Sequence, residues 1–122
     1  MRLERQRYIL FEYLILEEER AINEREIMSA FWSSIVRLFG ESIAYKVGLW
    51  LVRFDPIEKW GIIRCTNLTK EAIIASLAYI THINQTPIII HTIKTSGTIK
   101  KTLKIKEEYF FKNRNNLERL ET

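Results

Sequence analysis

The stretch Trp60-Gly61-Ile62-Ile63-Arg64-Cys65 is short, apolar and rich in β-branched residues, and breakers bound it on both sides. The turn-forming pair Asp55-Pro56 precedes it, and Asn67-Leu68-Thr69, a typical helix start, follows it. An apolar run of this length between breakers predicts a buried strand rather than a helix. Because it lies near the middle of the chain, with strand and helix patterns on both sides, we predict that it is a central strand of one small sheet.

The chain begins with a strand pattern followed by a helix pattern. Residues 7–16 are apolar at both sets of alternating positions, so we expect a strand whose two faces are both covered. Asn23, with Glu26 three residues later, predicts a capping box at the start of a helix. Gly40 is expected to end that helix, since glycine readily takes the left-handed conformation that follows a helix.

The remaining patterns complete a small α+β fold. Residues 44–54 predict a second strand, joined to the quoted stretch by a hairpin, with Trp50 and Phe54 on the same face. Thr69 is expected to cap a second helix, which Asn84 and Pro87 are expected to end, and residues 88–94 predict a fourth strand. The order is the β-α-β-β-α-β pattern of a ferredoxin-like, or RNA-recognition-motif-like, sandwich. The buried side of the second helix is predicted to consist of Ile73, Leu77, Ile80 and Ile83.

The last quarter of the chain carries all of its excess positive charge. Residues 94–122 contain eight basic and four acidic residues, a net charge of +4, and this equals the net charge of the whole chain. Ser96-Gly97-Thr98 predicts a sharp turn into a short helix, whose exposed backbone N–H groups would favour an anion. Two interpretations stay open, a surface that binds a polyanion and a solvated basic tail. If the partner is RNA, the expected contacts to its phosphates are the side chains of Lys94, Lys100, Lys101 and Lys104 and the backbone at Ser96, Gly97 and Thr98.

The chain of 122 residues, 47% of them hydrophobic, suits one domain. We predict a single α/β domain over residues 1–105 and a C-terminal extension over 106–122, either a further helix or a frayed tail. The two helices cover one apolar face of the sheet. The extension, a second copy of the chain or another protein must therefore cover the other face.

Three observations bear on the cellular compartment. No apolar run approaches the ~20 residues that span a bilayer, so no membrane partner is expected. Acidic residues flank the first apolar run, which does not resemble a signal peptide. The single cysteine, Cys65, fits a reducing compartment. We therefore expect a cytoplasmic protein.

The sequence offers no active site built from protein groups. His82 and His91 have no Cys or second His at ligand spacing, so structural roles are favoured over metal binding. Cys65 is expected to act as a small buried hydrophobe rather than a nucleophile. The acids at 17–19 lie in a predicted surface connection, where they are expected to contact solvent.

The usual RNA-recognition platform is also missing. Aliphatic residues at 61–65 stand where an RNA-recognition motif carries aromatic side chains on which bases stack. Trp50 and Trp60 are the remaining candidates for stacking. A tryptophan on an amphipathic strand, however, more often packs in a core or an interface, and we favour that interpretation.

Four blocks of sequence, taken together and in order, point to one family. They are Arg7-Tyr8-Ile9-Leu10-Phe11-Glu12, Leu38-Phe39-Gly40-Glu41, Gly61-Ile62-Ile63-Arg64-Cys65 and Ser96-Gly97-Thr98-Ile99-Lys100. Over residues 6–101 the chain resembles protein component 2 of archaeal ribonuclease P, a family with eukaryotic relatives in ribonuclease P and the mitochondrial RNA-processing ribonuclease. The tail beyond Ile105 matches no motif of that family.

The resemblance implies a fold related to the RNA-recognition motif and a non-catalytic role in an endoribonuclease. The RNA of that particle, with bound magnesium, removes the 5′ leader from precursor tRNA, and the chain itself is expected to bind no cofactor. The implied partners are ribonuclease P RNA, the barrel-shaped protein component 3 and, indirectly, precursor tRNA; a homodimer is also left open. The alternative is a ferredoxin-like protein-interaction or ligand-sensing module without an RNA partner.

Overall fold

The structure is a computed structural model that describes the backbone of residues 5–17, 21–46 and 48–121. Side chains are described for 5–17, 21–42, 44 and 48–113. The acidic connection predicted around 17–20 lies partly outside these residues. Val47 of the predicted second strand lies outside them, as do the side chains of Leu117 and Leu120.

The described residues form one antiparallel sheet with helices on both faces. The elements are β1 (Gln6–Ile15), α1 (Glu24–Phe39), α2 (Glu41–Lys46), β2 (Trp50–Asp55), β3 (Trp60–Thr66), α3 (Lys70–Ala78), β4 (His82–Ile83), β5 (Thr86–Ser96) and α4 (Ile99–Glu121). The strands have the order β2-β3-β1-β5-β4 in the sheet, so the quoted stretch, β3, lies inside the sheet between β2 and β1, as predicted. The β-α-β-β-α-β order of a ferredoxin-like domain is confirmed, with the short elements α2 and β4 and the long helix α4 added to it.

The first face of the sheet packs against α1 and α3 and forms the larger core. Phe11 of β1 lies edge-on to Phe31 of α1, with ring centroids 5.5 Å apart. The Ser34 hydroxyl of α1 donates a hydrogen bond of 2.7 Å to the Ser76 carbonyl of α3, which joins the two helices. The Asn23–Glu26 capping box is present, as predicted. Cys65 is buried in this core, as the sequence indicated.

The second face is partly covered by α4. Leu10, Trp60 and Ile62 form a smaller buried cluster on this face. The chain's own C-terminal helix is therefore the cover that the doubly apolar sheet required, and it runs without a break across residues 105 and 106. The side chains of α4 that pack against the cluster are Leu103, Ile105 and Phe110.

The predicted start of the second strand is wrong. Residues 44–46 belong to α2, because the chain turns back into a helix after Gly40, whose carbonyl accepts a hydrogen bond from the Ala44 N–H. Gly48, with φ of 63°, then leads into β2. A bulge between Leu51 and Arg53 also shifts the alternation, so Phe54 joins Leu51 on the first face instead of Trp50 on the second.

The predicted limits of the second helix need two corrections. Thr69 immediately precedes α3, but its side chain is hydrogen-bonded to Thr66 and caps no backbone group of the helix. The helix ends at Ala78, well before Asn84. Asn84 and Gln85, with φ of 49° and 69°, instead form the tight turn between β4 and β5. All four predicted core residues of this region are nevertheless buried.

In the described part of the chain, no helix combines the length and the apolar character that crossing a membrane requires.

Candidate nucleic-acid interface

The junction between β5 and α4 forms a capped helix N-terminus. The Thr98 hydroxyl oxygen accepts a hydrogen bond of 3.1 Å from the Lys101 backbone N–H. The Thr98 carbonyl in turn accepts a bond of 2.7 Å from the Thr102 hydroxyl. The N–H groups of Ile99 and Lys100 have no acceptor within the helix, because the first turn of any helix lacks preceding carbonyls. The sharp turn is confirmed, but the helix that follows has 23 residues and is not short.

Basic side chains surround this terminus. Lys94 at the end of β5 and Lys100, Lys101 and Lys104 on α4 are all exposed. The first turn of α4 contains no acidic residue. Lys94 thus lies on the strand that leads into the turn, and the other three lysines lie in the first two turns of the helix that follows it.

Arg7 is a further basic residue at this terminus, and the sequence interpretation missed it. Its Nη1 atom lies 3.7 Å from the position that a Cβ on Gly97 would occupy. Arg7 is distant from Gly97 along the chain, and the antiparallel pairing of β1 with β5, in which Tyr8 lies opposite Ser96, brings them together. The signal was thus the strand pairing, which a single sequence does not reveal.

Ser96 differs from the other predicted contacts. Its side chain is buried, and its hydroxyl has no hydrogen-bond partner among the described residues. Gly97 and Thr98 are exposed. A phosphate at this turn would therefore meet the backbone and the nearby lysines before it met the Ser96 hydroxyl.

The two candidate tryptophans lie in different surroundings. Trp60 is buried on the second face of the sheet, and the Lys106 ammonium lies 4.7 Å from its ring centroid, so it is a core residue as favoured. Trp50 is 61% exposed on the edge strand β2, so it is not a core residue, and the prediction that it packs in an interface stays a prediction. An edge strand has a neighbour on one side only, and here its tryptophan is left open to solvent.

The groups considered for chemistry have ordinary structural surroundings. His82 is hydrogen-bonded to the Thr81 hydroxyl, and His91 to the Glu12 carboxylate. Burial raises the pKa of the Cys65 thiol to about 11, although Lys70 and Arg7 act to lower it, so the reactive thiolate is scarce at neutral pH. Among the described residues, no group of three or more His, Cys, Asp or Glu side chains could hold a metal ion.

The fold and this surface define a ferredoxin-like α+β protein that presents a basic helix terminus. Residues 7–106 match the model of the Rpp14/Pop5 family, and the chain belongs to that family.

Proteins named ribonuclease P protein component 2 are among its relatives. The one from Pyrococcus furiosus is 36% identical over 80% of this chain and 79% of its own length. The one from Archaeoglobus fulgidus is 35% identical over 80% of this chain and 84% of its own length. A chain in the cryo-EM structure of yeast ribonuclease MRP has the same fold, with a TM-score of 0.65 at 13% identity, over 94% of this chain and 96% of that one.

Proposed function

We propose that this chain is a non-catalytic protein subunit of ribonuclease P that binds the RNA of the particle through the N-terminus of α4. Its relatives carry the name of ribonuclease P protein component 2, and its matched region spans most of their length. The binding surface, here called the α4 basic terminus, consists of the Gly97-Thr98 turn with Lys94, Lys100, Lys101, Lys104 and Arg7.

The position of the lysines on α4 is the observation that carries the proposal. The N-terminus of a helix is the positive end of its macrodipole and stabilises acidic side chains. Here the first turn has no acid, and Lys100, Lys101 and Lys104 occupy the first two turns instead. That placement opposes helix stability, and it is the arrangement that binds a polyanion such as an RNA backbone.

The chemistry in this proposal belongs to the RNA. Ribonuclease P RNA with bound magnesium would cleave the 5′ leader from precursor tRNA, and the chain would contribute positive charge and a folded surface. Precursor tRNA would then be an indirect partner, and a cytoplasmic location would follow from that of the particle.

Protein partners also belong to the proposal. Protein component 3 of the particle and a second copy of this chain are the two candidates. Leu14 and Ile89, which lie opposite each other on the second face of the sheet, are exposed large apolar side chains there. They offer apolar area for a partner, since exposed apolar side chains that form a patch commonly mark such contacts.

Reconstitution tests the proposal. Precursor-tRNA cleavage by ribonuclease P RNA and the other protein subunits would be measured with and without this chain. A triple variant, Lys94→Ala with Lys100→Ala and Lys101→Ala, would be compared with a control that loses the same charge elsewhere: Arg25→Ala with Arg37→Ala and Lys112→Ala, all at exposed positions.

We expect the chain to stimulate cleavage and the first triple variant to bind the RNA more weakly. For this variant, the slope of log Kd against log salt concentration should fall in magnitude by up to about 0.7 to 0.9 for each lysine removed, because fewer counterions are released. Equal loss in both triple variants would show that net charge alone matters. No stimulation by the wild-type chain would contradict the role as a subunit.

A further inference from the structure

Strand register places four side chains in one row across the second face of the sheet. Trp50 of β2 lies opposite Arg64 of β3, Arg64 lies opposite Tyr8 of β1, and Tyr8 lies opposite Ser96 of β5. Directly paired residues point to the same face of a sheet, with Cβ atoms about 5 Å apart. The row, here called the Trp50–Ser96 row, thus runs from the free edge of the sheet to the α4 basic terminus.

The register of the neighbouring residues fixes which face this is. Leu10 and Ile62, two positions along from Tyr8 and Arg64, belong to the cluster that α4 covers, and Tyr8 itself packs against that cluster. Side chains two residues apart on a strand share a face. The row therefore lies on the α4 face, just beyond the part that the helix buries.

The row combines two aromatic side chains with an intervening cation. Trp50 is 61% exposed, while Tyr8 and Arg64 are half-buried. Arg53, opposite Ile62 in the adjoining row, adds a second exposed guanidinium on this face. Within the described part of the chain, neither Arg53 nor Arg64 forms an ion pair with a carboxylate. Their charges are thus available to a ligand.

The geometry points to a platform for unpaired RNA nucleotides along the Trp50–Ser96 row. Bases stack on the faces of Trp50 and Tyr8, and the Arg64 guanidinium between them contacts a base or a phosphate. The two aromatic residues are two strand spacings apart, roughly 10 Å, which leaves room for separate bases on each. The RNA strand then continues past the buried Ser96 towards the backbone N–H groups and lysines at the start of α4.

Unpaired RNA is favoured over duplex RNA by the chemistry of the row. A stacking surface needs bases whose faces are open, whereas a duplex offers its phosphates and groove edges. RNA is also favoured over a protein partner. The row places an arginine between two aromatic side chains, and it ends next to the lysines of the α4 basic terminus. This inference rests on the proposed function and specifies which part of an RNA the chain contacts.

Two binding measurements on the chain of 122 residues test the platform. One uses a short single-stranded RNA without self-complementarity, and the other uses the same sequence as a duplex. The variant is Trp50→Ala, with Trp50→Phe as the substitution that keeps an aromatic face. Tyr79→Ala is the matched control, since Tyr79 is 62% exposed but follows α3 in the connection to β4, outside the row. Circular dichroism would establish that each variant is folded.

We expect Trp50→Ala to weaken binding of the single strand by about 5-fold or more, the usual effect of losing one base–aromatic stack. Duplex binding should change little, Trp50→Phe should retain most of the affinity, and Tyr79→Ala should bind like the wild type. Binding of the single strand should also quench tryptophan fluorescence, and much of that quenching should disappear in Trp50→Phe.

Three outcomes would overturn the platform without touching the proposed function. In the first, Trp50→Ala binds the single strand as tightly as the wild type, while the lysine triple variant loses affinity. In the second, Trp50→Ala weakens binding of the duplex and of the single strand equally. In the third, Trp50→Ala binds RNA normally but fails to join the other protein subunits, which would make Trp50 a protein contact. If Trp50→Ala instead binds the single strand more weakly while the lysine triple variant binds it like the wild type, the result would support the Trp50–Ser96 row. It would count against the α4 basic terminus.

Discussion

The Tyr109 hydroxyl of α4 donates a hydrogen bond of 2.7 Å to the Glu12 carboxylate at the middle of β1. The same carboxylate oxygen lies 3.1 Å from Nδ1 of His91 on β5. This contact and the apolar contacts of Leu103 and Phe110 fix α4 across the second face of the sheet. The direction in which the α4 basic terminus points therefore depends on a polar contact about three turns further along the helix.

Tyr109→Phe should lower the free energy of unfolding by about 1–2 kcal/mol, because it keeps the ring but removes a hydrogen bond to a charged acceptor. Urea unfolding of the two proteins measures the difference. Phe111→Ala is the control on the same helix, since Phe111 is 65% exposed, and it should change stability little. Equal stability of Tyr109→Phe and the wild type would mean that apolar packing alone holds α4 in place.

Gly61→Ala should be strongly destabilising. A Cβ at this position of β3 would lie 2.5 Å from the Cζ atom of Phe11 and 2.9 Å from the Arg53 carbonyl oxygen. Phe11 is fully buried and cannot turn away. We expect a loss of about 1–3 kcal/mol or more, the usual cost of overpacking, measured by chemical denaturation.

Gly97→Ala is the matched control for this change. A Cβ on Gly97 would have only the Arg7 guanidinium near it, at 3.7 Å, which is ordinary contact. The substitution should alter stability by well under the loss at Gly61. Comparable losses at the two glycines would show that backbone conformation, rather than the contact with Phe11, governs the effect at Gly61.

Local signals in the sequence were sufficient for most of the framework. The capping box at Asn23 and Glu26, the stop at Gly40 and the hairpin at Asp55 each depend on residues within one turn of the chain, and each is present. The Asp55 carboxylate accepts hydrogen bonds from the N–H groups of Ile57 and Glu58, which is a contact that the sequence spacing already contains.

The errors arose where tertiary contacts override local pattern. Ala44 is buried in the core as part of α2, although the alternation of its neighbours suggested a strand. The bulge after Leu51 reversed the side on which Phe54 lies, and nothing local in the sequence marks it. Arg7 and the Trp50–Ser96 row depend on strand register, which forms only when distant segments pair.

Burial of Cys65 should make stability fall at alkaline pH. Its pKa is raised from 9.0 to about 11 in the folded chain, chiefly by burial, so the folded state holds the proton more tightly than the unfolded state. The resulting contribution to the free energy of unfolding is present below about pH 9 and is lost as the pH rises towards 11, with a magnitude of about 3 kcal/mol.

Cys65→Ala should therefore have a shallower fall in unfolding free energy between pH 9 and 11 than the wild type, whatever its stability at neutral pH. The difference between the two curves separates the effect of the thiol from that of the tyrosines, which also titrate at alkaline pH. One of these is Tyr13, where burial and the nearby Asp55 raise the pKa to about 12. Parallel curves for the two proteins would indicate that the thiol does not titrate differently in the folded state. Alkylation of the folded wild type at neutral pH should correspondingly be slow.

Lys101→Glu should raise stability and weaken RNA binding at the same time. Lys101 is the third residue of α4, and its N–H is already bound to the Thr98 hydroxyl. An acid at this position can reach back to the Thr98 N–H and complete a capping box, and it also suits the positive end of the helix. We expect a gain of about 0.3–1 kcal/mol in unfolding free energy and a loss of RNA affinity that shrinks as salt is added.

Two further variants separate the causes. Lys101→Gln keeps the capping geometry without the negative charge, so it should be nearly as stable as Lys101→Glu and bind RNA with intermediate affinity. Lys112→Glu makes the same charge change at an exposed site well along α4, and it should leave affinity close to that of the wild type. A variant at Lys101 that lost stability and affinity together would mean that this lysine serves the fold. Opposite changes would mean that the helix gives up stability at this end in order to bind a polyanion.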